Sequence, residues 1–291
     1  MKFFFLSFFT LLMGLSTKCE AMDQSASPIK VMSVNIRYEN ENDGINVWKN
    51  RKDWLIDNIR FNDIDVFGAQ EVEHSQLEDL LELLPEFESV GVGRDGGQEG
   101  EYSPLFYRQD RFELLDSETF WLSETPREIK SVGWDAAYPR IVTWAKLRRK
   151  TDGKTFYVFN THFDHRGEKA RLESAKLLVR KITEISGGHP AFVTGDFNFK
   201  PETPPYEVLT QGQESEILLK DSRFSADQSY GPDYTFNGFQ LKPTDLQNRI
   251  DFIFTKGEIE VLKYRVEDGQ RGEAFISDHF PVWIEARFST K

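Results

Sequence analysis

The chain is nearly devoid of cysteine: Cys19 is the only one in 291 residues. It falls in an N-terminal stretch that reads as a leader, so the mature chain is expected to contain none. That excludes disulfides, a thiol nucleophile and a cysteine-built zinc cage. Histidine is scarce as well, at five residues, which makes a zinc site a poor fit. Positive charge is in deficit, with a formal net charge of −12. Affinity for duplex nucleic acid is mostly cation-driven, so an acidic chain is not steered toward it, although a locally basic cleft stays open. Repeats, low-complexity tracts and long linkers are also missing, which leaves one large domain over residues 22–291.

What is present begins with the leader. Lys2 is followed by FFFLSFFTLLMGL and then by the polar STKCEA. A positive start, a short apolar run and a small residue at Ala21 form a signal peptide over residues 1–21. The run is too short for a comfortable membrane span of ~20 residues. A retained signal anchor is the weaker reading, and Lys18 argues against a lipoprotein anchor at Cys19. The expectation is a secreted or periplasmic protein with no stable span in the mature chain and no obligate protein partner.

Beyond the leader, runs rich in β-branched and aromatic residues predict strands at 29–36, 66–71, 104–108, 141–149, 155–163, 191–197, 249–255 and 280–288. Helical periodicity predicts helices at 48–61, 75–84 and 169–185. Their core-facing stripes are Trp48, Trp54, Leu55 and Ile59; Leu77, Leu80, Leu81 and Leu84; and Leu172, Ala175, Leu178, Val179 and Ile182. Many strands with few helices suggest two packed sheets with helices outside them.

Polar residues recur at the ends of these apolar strands: Asn35, Glu71, His162, Asp196 with Asn198, Asp251, and Asp278 with His279. Each alone also fits an ordinary turn or surface position. Strand ends at one sheet edge can converge, however, and carboxylates gathered there repel one another unless a cation joins them. Glu71, Asp196, Asn198 and Asp278 are oxygen donors of the kind a hard cation such as Mg²⁺ takes. His162 and His279 abut apolar strands and suit acid, base or phosphate-donor roles. Asp251, inside RIDFIF, needs a partner if buried, and orienting a histidine would supply one. His74 and His189 read as surface residues, and His165 fits either class. Asp196 and Asn198, two residues apart, are expected on one side of a strand by its period-two alternation, and Gly195 before them reads as room for close approach of substrate or backbone.

VMSVNIR, GAQEV, FNTHFDHRG, TGDFNF, RIDFIF and SDHFPV occur in the order found in the endonuclease/exonuclease/phosphatase (deoxyribonuclease-like) superfamily, which the chain resembles over essentially its whole mature length. The resemblance implies a four-layer α/β sandwich, helices outside two packed mixed sheets, with the site at one rim. It also implies Mg²⁺-dependent phosphoester hydrolysis, with Mn²⁺ as a substitute. On that pattern Glu71 is the principal metal ligand, Asn35 holds a metal-bound water or a phosphate oxygen, and Asp278 assists the metal. Asp196 orients or deprotonates the attacking water, and Asn198 steadies the phosphate. His279, supported by Asp251, contacts the phosphate, and His162 assists the leaving group. Glu101 matches an acidic partner for His162 in the deoxyribonuclease-like branch. Arg166 matches a phosphate-contacting arginine of the deadenylase-like branch, and Arg140 adds a second cation. Arg37 stands where abasic-site enzymes carry an acid, which argues against that role.

The leading expectation is phosphodiester hydrolysis, on a nucleic acid, nucleotide, lipid headgroup or sugar phosphodiester. Alternatives are a phosphomonoesterase acting on an inositol or sugar phosphate, and a noncatalytic phosphate-ligand binder. Specificity is expected from loops 124–139 and 225–245, with Trp121, Trp134, Tyr138, Tyr230, Tyr234 and Phe236 as stacking candidates.

Overall fold

The computed structural model describes residues 27–212, 218–246 and 248–289. The signal peptide expected at residues 1–21 lies outside them. The first half runs β1 (Ile29–Asn35), α1 (Trp48–Phe61), β2 (Val66–Gln70), α2 (His74–Leu83), β3 (Phe87–Val90), β4 (Leu105–Arg108) and β5 (Phe112–Trp121). The middle runs β6 (Ile141–Arg149), β7 (Thr155–His162), α3 (Glu168–Ser186), β8 (Ala191–Asp196) and α4 (Pro204–Gln211). The last part holds β9 (Lys220–Asp221), α5 (Ser222–Ser225), β10 (Gln228–Tyr230), β11 (Asp251–Lys256) and β12 (Ile259–Val266). The hairpin β13 (Gln270–Arg271) and β14 (Ala274–Phe275) then leads to β15 (Val282–Phe288).

Among the described residues, one sheet has the order β10-β12-β15-β1-β2-β4-β3 and the other β5-β6-β7-β8-β11-β9. Side chains alternate across each strand, so every buried strand feeds two cores. Val31 and Val66 of the first sheet meet Leu147, Val158 and Phe192 of the second in the central layer. Their neighbours Met32 and Phe67 face outward, under Leu55 and Ile59 of α1 and Leu80 of α2. On the opposite side Phe159 and Val193 lie under Leu178 and Ile182 of α3 and Leu209 of α4. The result is the expected four-layer α-β-β-α sandwich. Leu81 departs from its expected stripe and is 37% exposed. It follows Leu80 directly, about 100° round the helix, and Leu77, Leu80 and Leu84 already fill the inward face.

Near one rim the central layer turns polar. Asn160 accepts from Gln70 Nε2 at 2.6 Å and from Thr194 Oγ1 at 3.0 Å, and its Nδ2 donates to the carbonyls of Ala69 and Pro104. Gly68 makes this close fit feasible: a Cβ there would sit 2.3 Å from both Asn160 Oδ1 and Thr194 Oγ1.

A buried ion pair secures the far flank. Arg249 donates to Asp221 at 2.8 and 3.3 Å, and Tyr206 of α4 donates to the same carboxylate at 3.0 Å. Asp221→Ala leaves a buried guanidinium without its counter-charge. The expected cost is about 3–5 kcal/mol, read as a lower urea midpoint at unchanged m-value.

Candidate active site

The topology gathers the polar strand ends. β1 and β2 are parallel, as are β7 and β8, so Asn35, the Gln70–Glu71 step, His162 and Asp196 all reach one rim. β11 runs antiparallel to β8 and starts there, with Asp251 opposite Asp196. β15 is antiparallel to β1, so the Asp278–His279 loop that precedes it arrives at the same place.

Asn35 is the hub. Its Nδ2 donates to Glu71 Oε1 and to Asp196 Oδ2, each at 3.0 Å, and its Oδ1 accepts from the Arg37 amide. Asp196 Oδ2 lies 3.5 Å from His162 Nε2 and 3.8 Å from His279 Nε2. His279 Nδ1 is 2.9 Å from Asp251 Oδ2, while Asp251 Oδ1 is buried with no hydrogen-bond partner among the described residues. Asp278 accepts from Ser277 Oγ and lies 3.8 Å from Arg37 Nε. Arg51, fully buried, donates to the carbonyls of Asn46, Ile36, Ile276 and Arg37 and so ties the loop after β1 to the loop carrying Asp278. Glu71, Arg37 and Asn198 all hold a left-handed backbone, with φ of 60°, 60° and 51°. Such strain concentrates where a site over-determines geometry.

The electrostatics divide the histidines. Burial, then the neighbouring Arg140 charge, pushes His162 well below its usual range, so it is neutral. Burial alone would depress His279 too, but Asp251 and Asp196 outweigh it and hold the ring well above its usual range, protonated. Burial, then the negative charge of Asp251, pushes the Asp196 carboxyl up to about 7. Burial also raises Asp278. Carboxylates crowded in this way, with His279 and the arginines as the nearby positive charge, fit a divalent cation. Ligand atoms of Glu71, His162 and Asp196 fall within 4.8 Å of one another, as do those of Asp196, Asp251 and His279. Asp278, whose carboxyl feels the Glu71 charge, lines the same cavity, and carboxylate oxygens are donors of the kind a hard cation takes.

The cluster opens into a cavity of about 630 Å³. Its lining includes Glu71, Glu101, Arg140, His162, Asp196, Asn198, Asp278 and His279. The geometry sharpens or corrects several expectations. Asn198 faces the cavity through its left-handed turn and not through strand alternation: β8 ends at Asp196, and the Asn198 amide donates back to Asp196 Oδ1 at 3.0 Å. A Cβ on Gly195 would meet the Thr161 carbonyl at 2.6 Å, so of the two close approaches the sequence allowed here, the one found is that of backbone. Glu101 is held by Arg94 in a two-pronged pair at 2.9 and 2.8 Å, which directs its carboxylate to a guanidinium where the expectation had His162. Arg140 is buried against Asp164 and His165, whereas Arg166 is exposed and does not line the cavity. Of the six aromatic candidates, Tyr138 and Phe236 line it. Phe236 sets its ring edge-on to His279, 5.0 Å away. Trp121 is buried, and Tyr230 is 68% exposed and outside the lining. Sequence reasoning missed Arg94. Its signal was faint: opposite charges at Arg94 and Glu101 across a glycine-rich loop, where a hairpin makes them neighbours.

The profile of the Endonuclease/Exonuclease/phosphatase family matches residues 32–279. The structure of an endonuclease/exonuclease/phosphatase from Bacteroides vulgatus is 44% identical, with 90% of this chain and 100% of that one covered and a TM-score of 0.86. The mannosyl-6-phosphatase of Bacteroides thetaiotaomicron VPI-5482 is 38% identical, with 89% and 100% covered and a TM-score of 0.83. Nocturnin of Drosophila melanogaster is 26% identical over 176 residues, which is 56% of this chain and 26% of that protein. The chain thus spans about a quarter of the length of that relative.

Proposed function

The chain belongs to the endonuclease/exonuclease/phosphatase family, whose members are metal-dependent phosphoester hydrolases, and from that premise we propose that it is an exported, Mg²⁺-dependent phosphomonoesterase acting on a phosphorylated sugar. The observation that carries this reading is the cavity itself, about 630 Å³ and walled by paired charges and one exposed tyrosine beside the hydrolytic cluster. That volume suits a small polar ligand. The 38% identity to a mannosyl-6-phosphatase over its full chain points the same way. The diester expectation is therefore placed second. Export rests on the signal-peptide pattern of residues 1–21. Among the described residues, no helix is long and apolar enough to cross a membrane.

Bound at Glu71 and Asp278, the cation would offset phosphate charge and polarise the ester. The chain's own groups do the rest. Asp196, anchored by Asn35, orients the water and takes its proton. Protonated His279, braced by Asp251, donates to a phosphate oxygen from Nε2. Arg140, held by Asp164 and His165, adds a buried positive charge to the cavity lining. Neutral His162, 3.5 Å from Asp196, would take on the proton that Asp196 removes from water and pass it to the leaving oxygen, ending neutral as it began.

Purified protein should hydrolyse hexose 6-phosphates with Mg²⁺, lose turnover in EDTA, and regain it with Mg²⁺ or Mn²⁺. The panel should also hold DNA, RNA, nucleotides, sphingomyelin and phosphoinositides. Undiminished turnover in EDTA, or a tenfold preference for a diester, would refute this reading.

A further inference from the structure

One wall of the cavity is not used by the hydrolytic chemistry. It consists of Arg94, Glu101, Tyr138 and His165. We propose that the Arg94–Glu101 pair, with the Tyr138 ring, is a hydroxyl-reading wall that grips the uncharged pyranose ring of a phosphorylated hexose. This rests on the sugar-phosphate reading above and names the part of the site that selects the sugar.

Three observations carry it. First, the pair is built and held. Arg94 and Glu101 are joined by two side-chain bonds and also by the backbone, Arg94 N–H donating to the Glu101 carbonyl at 3.0 Å. Trp121 Nε1 donates to the Arg94 carbonyl at 2.7 Å and fixes the loop from behind. Second, the pair keeps spare capacity. A carboxylate has about four lone-pair sites, more than two arginine bonds use, and both side chains stay partly exposed, Arg94 at 14% and Glu101 at 21%. Third, an aromatic face stands beside it. The Tyr138 ring is 45% exposed, lies 4.9 Å from the Arg94 guanidinium, and stacks with His165 at a centroid distance of 6.1 Å.

The chemistry favours a neutral polyol over the alternatives. A second phosphate would meet the Glu101 carboxylate, and a like charge there is repelled. A lipid tail would meet charged groups that it cannot satisfy. A sugar ring offers adjacent hydroxyls that donate to a carboxylate and accept from a guanidinium, and a C–H face that packs on tyrosine. Arg94 keeps Glu101 oriented; burial otherwise raises that carboxyl, with Arg94 opposing.

The test compares kcat/KM for mannose 6-phosphate with that for phenyl phosphate, which has no hydroxyls to read. Arg94→Met, Glu101→Gln and Tyr138→Ala are measured beside the wild type. The selectivity ratio should fall by about 10- to 100-fold for Arg94→Met and Glu101→Gln, mostly through KM, on the scale of lost charge-assisted hydrogen bonds. Tyr138→Ala should lower it less. Equal losses on both esters would overturn the wall and return Glu101 to a direct role in hydrolysis. An unmoved ratio in all three variants, with wild-type turnover of mannose 6-phosphate intact, would also overturn it while leaving the sugar-phosphate reading standing. Wild-type turnover of phenyl phosphate with none of any hexose phosphate would refute that reading itself. Turnover of phenyl phosphate by each variant establishes that it folds.

Discussion

Asp196→Asn should lower kcat by about 10³-fold or more while leaving the fold intact. The substitution conserves volume and removes the charge proposed to orient and deprotonate water. It also exposes a conflict of roles. Asp196 accepts from Asn35 Nδ2 on one oxygen and from the Asn198 amide on the other, and an asparagine can satisfy only one of these donors. A buried donor then goes unpaired, at a cost of about 1–3 kcal/mol. Against that stands the gain from deleting a carboxylate whose proton affinity is raised to about 7 by burial, then by Asp251. Its folded pKa lies above the unfolded one, so above the unfolded pKa the ionised form opposes folding, and the penalty grows as pH rises to the folded value. At pH 8 the variant should melt close to the wild type. Melting temperature and kcat measured on the same samples decide the matter: a kcat within tenfold of wild type would remove Asp196 from the chemistry.

Glu71→Gln should weaken divalent-cation binding by about 10²-fold or more. Calorimetric titration with Mg²⁺ reads this directly, with no substrate present. The carboxylate is held from two sides, Oε1 by Asn35 Nδ2 and Oε2 by the Tyr38 amide at 3.2 Å, on a backbone with φ of 60°. The chain orders this group tightly although nothing in the apolar core requires it. Glutamine keeps the shape and loses the charge. An unchanged Mg²⁺ affinity would show that the cation is held elsewhere.

The sandwich was readable because its strands are buried on both faces, so VFGAQ and AFVTGD stand out as apolar runs. β5 and β12 were not foreseen. Half of β5 is polar, and a bulge between Leu114 and Asp116 breaks its alternation. β12 alternates, but its register shifts between Val261 and Lys263. α4 begins on Pro204 and Pro205, which read as loop yet suit the first turn of a helix. The clustered polar residues of the candidate site were legible for the same reason as the strands: they stand at the ends of apolar runs. Arg94 follows no such run, and its place in the site depends on how a hairpin folds back. Asn198 was found for an incomplete reason, since period-two alternation cannot pass through a left-handed residue.

The Asn160 junction has a consequence for how this protein tolerates change. It divides the space between the sheets into a hydrocarbon half and a hydrogen-bonded half, with Gly68 at the boundary. In the hydrocarbon half, residues such as Val31, Leu147 and Phe192 can exchange methylenes with their neighbours, because volume is the only quantity to conserve. In the other half Gln70, Asn160 and Thr194 hold one another by hydrogen bonds, and one altered atom strands its partner. Sequence libraries should therefore drift freely at one end of the sandwich and stay frozen at the other. New specificities would be sought in the loops above the frozen end, on a foundation that does not move when they do.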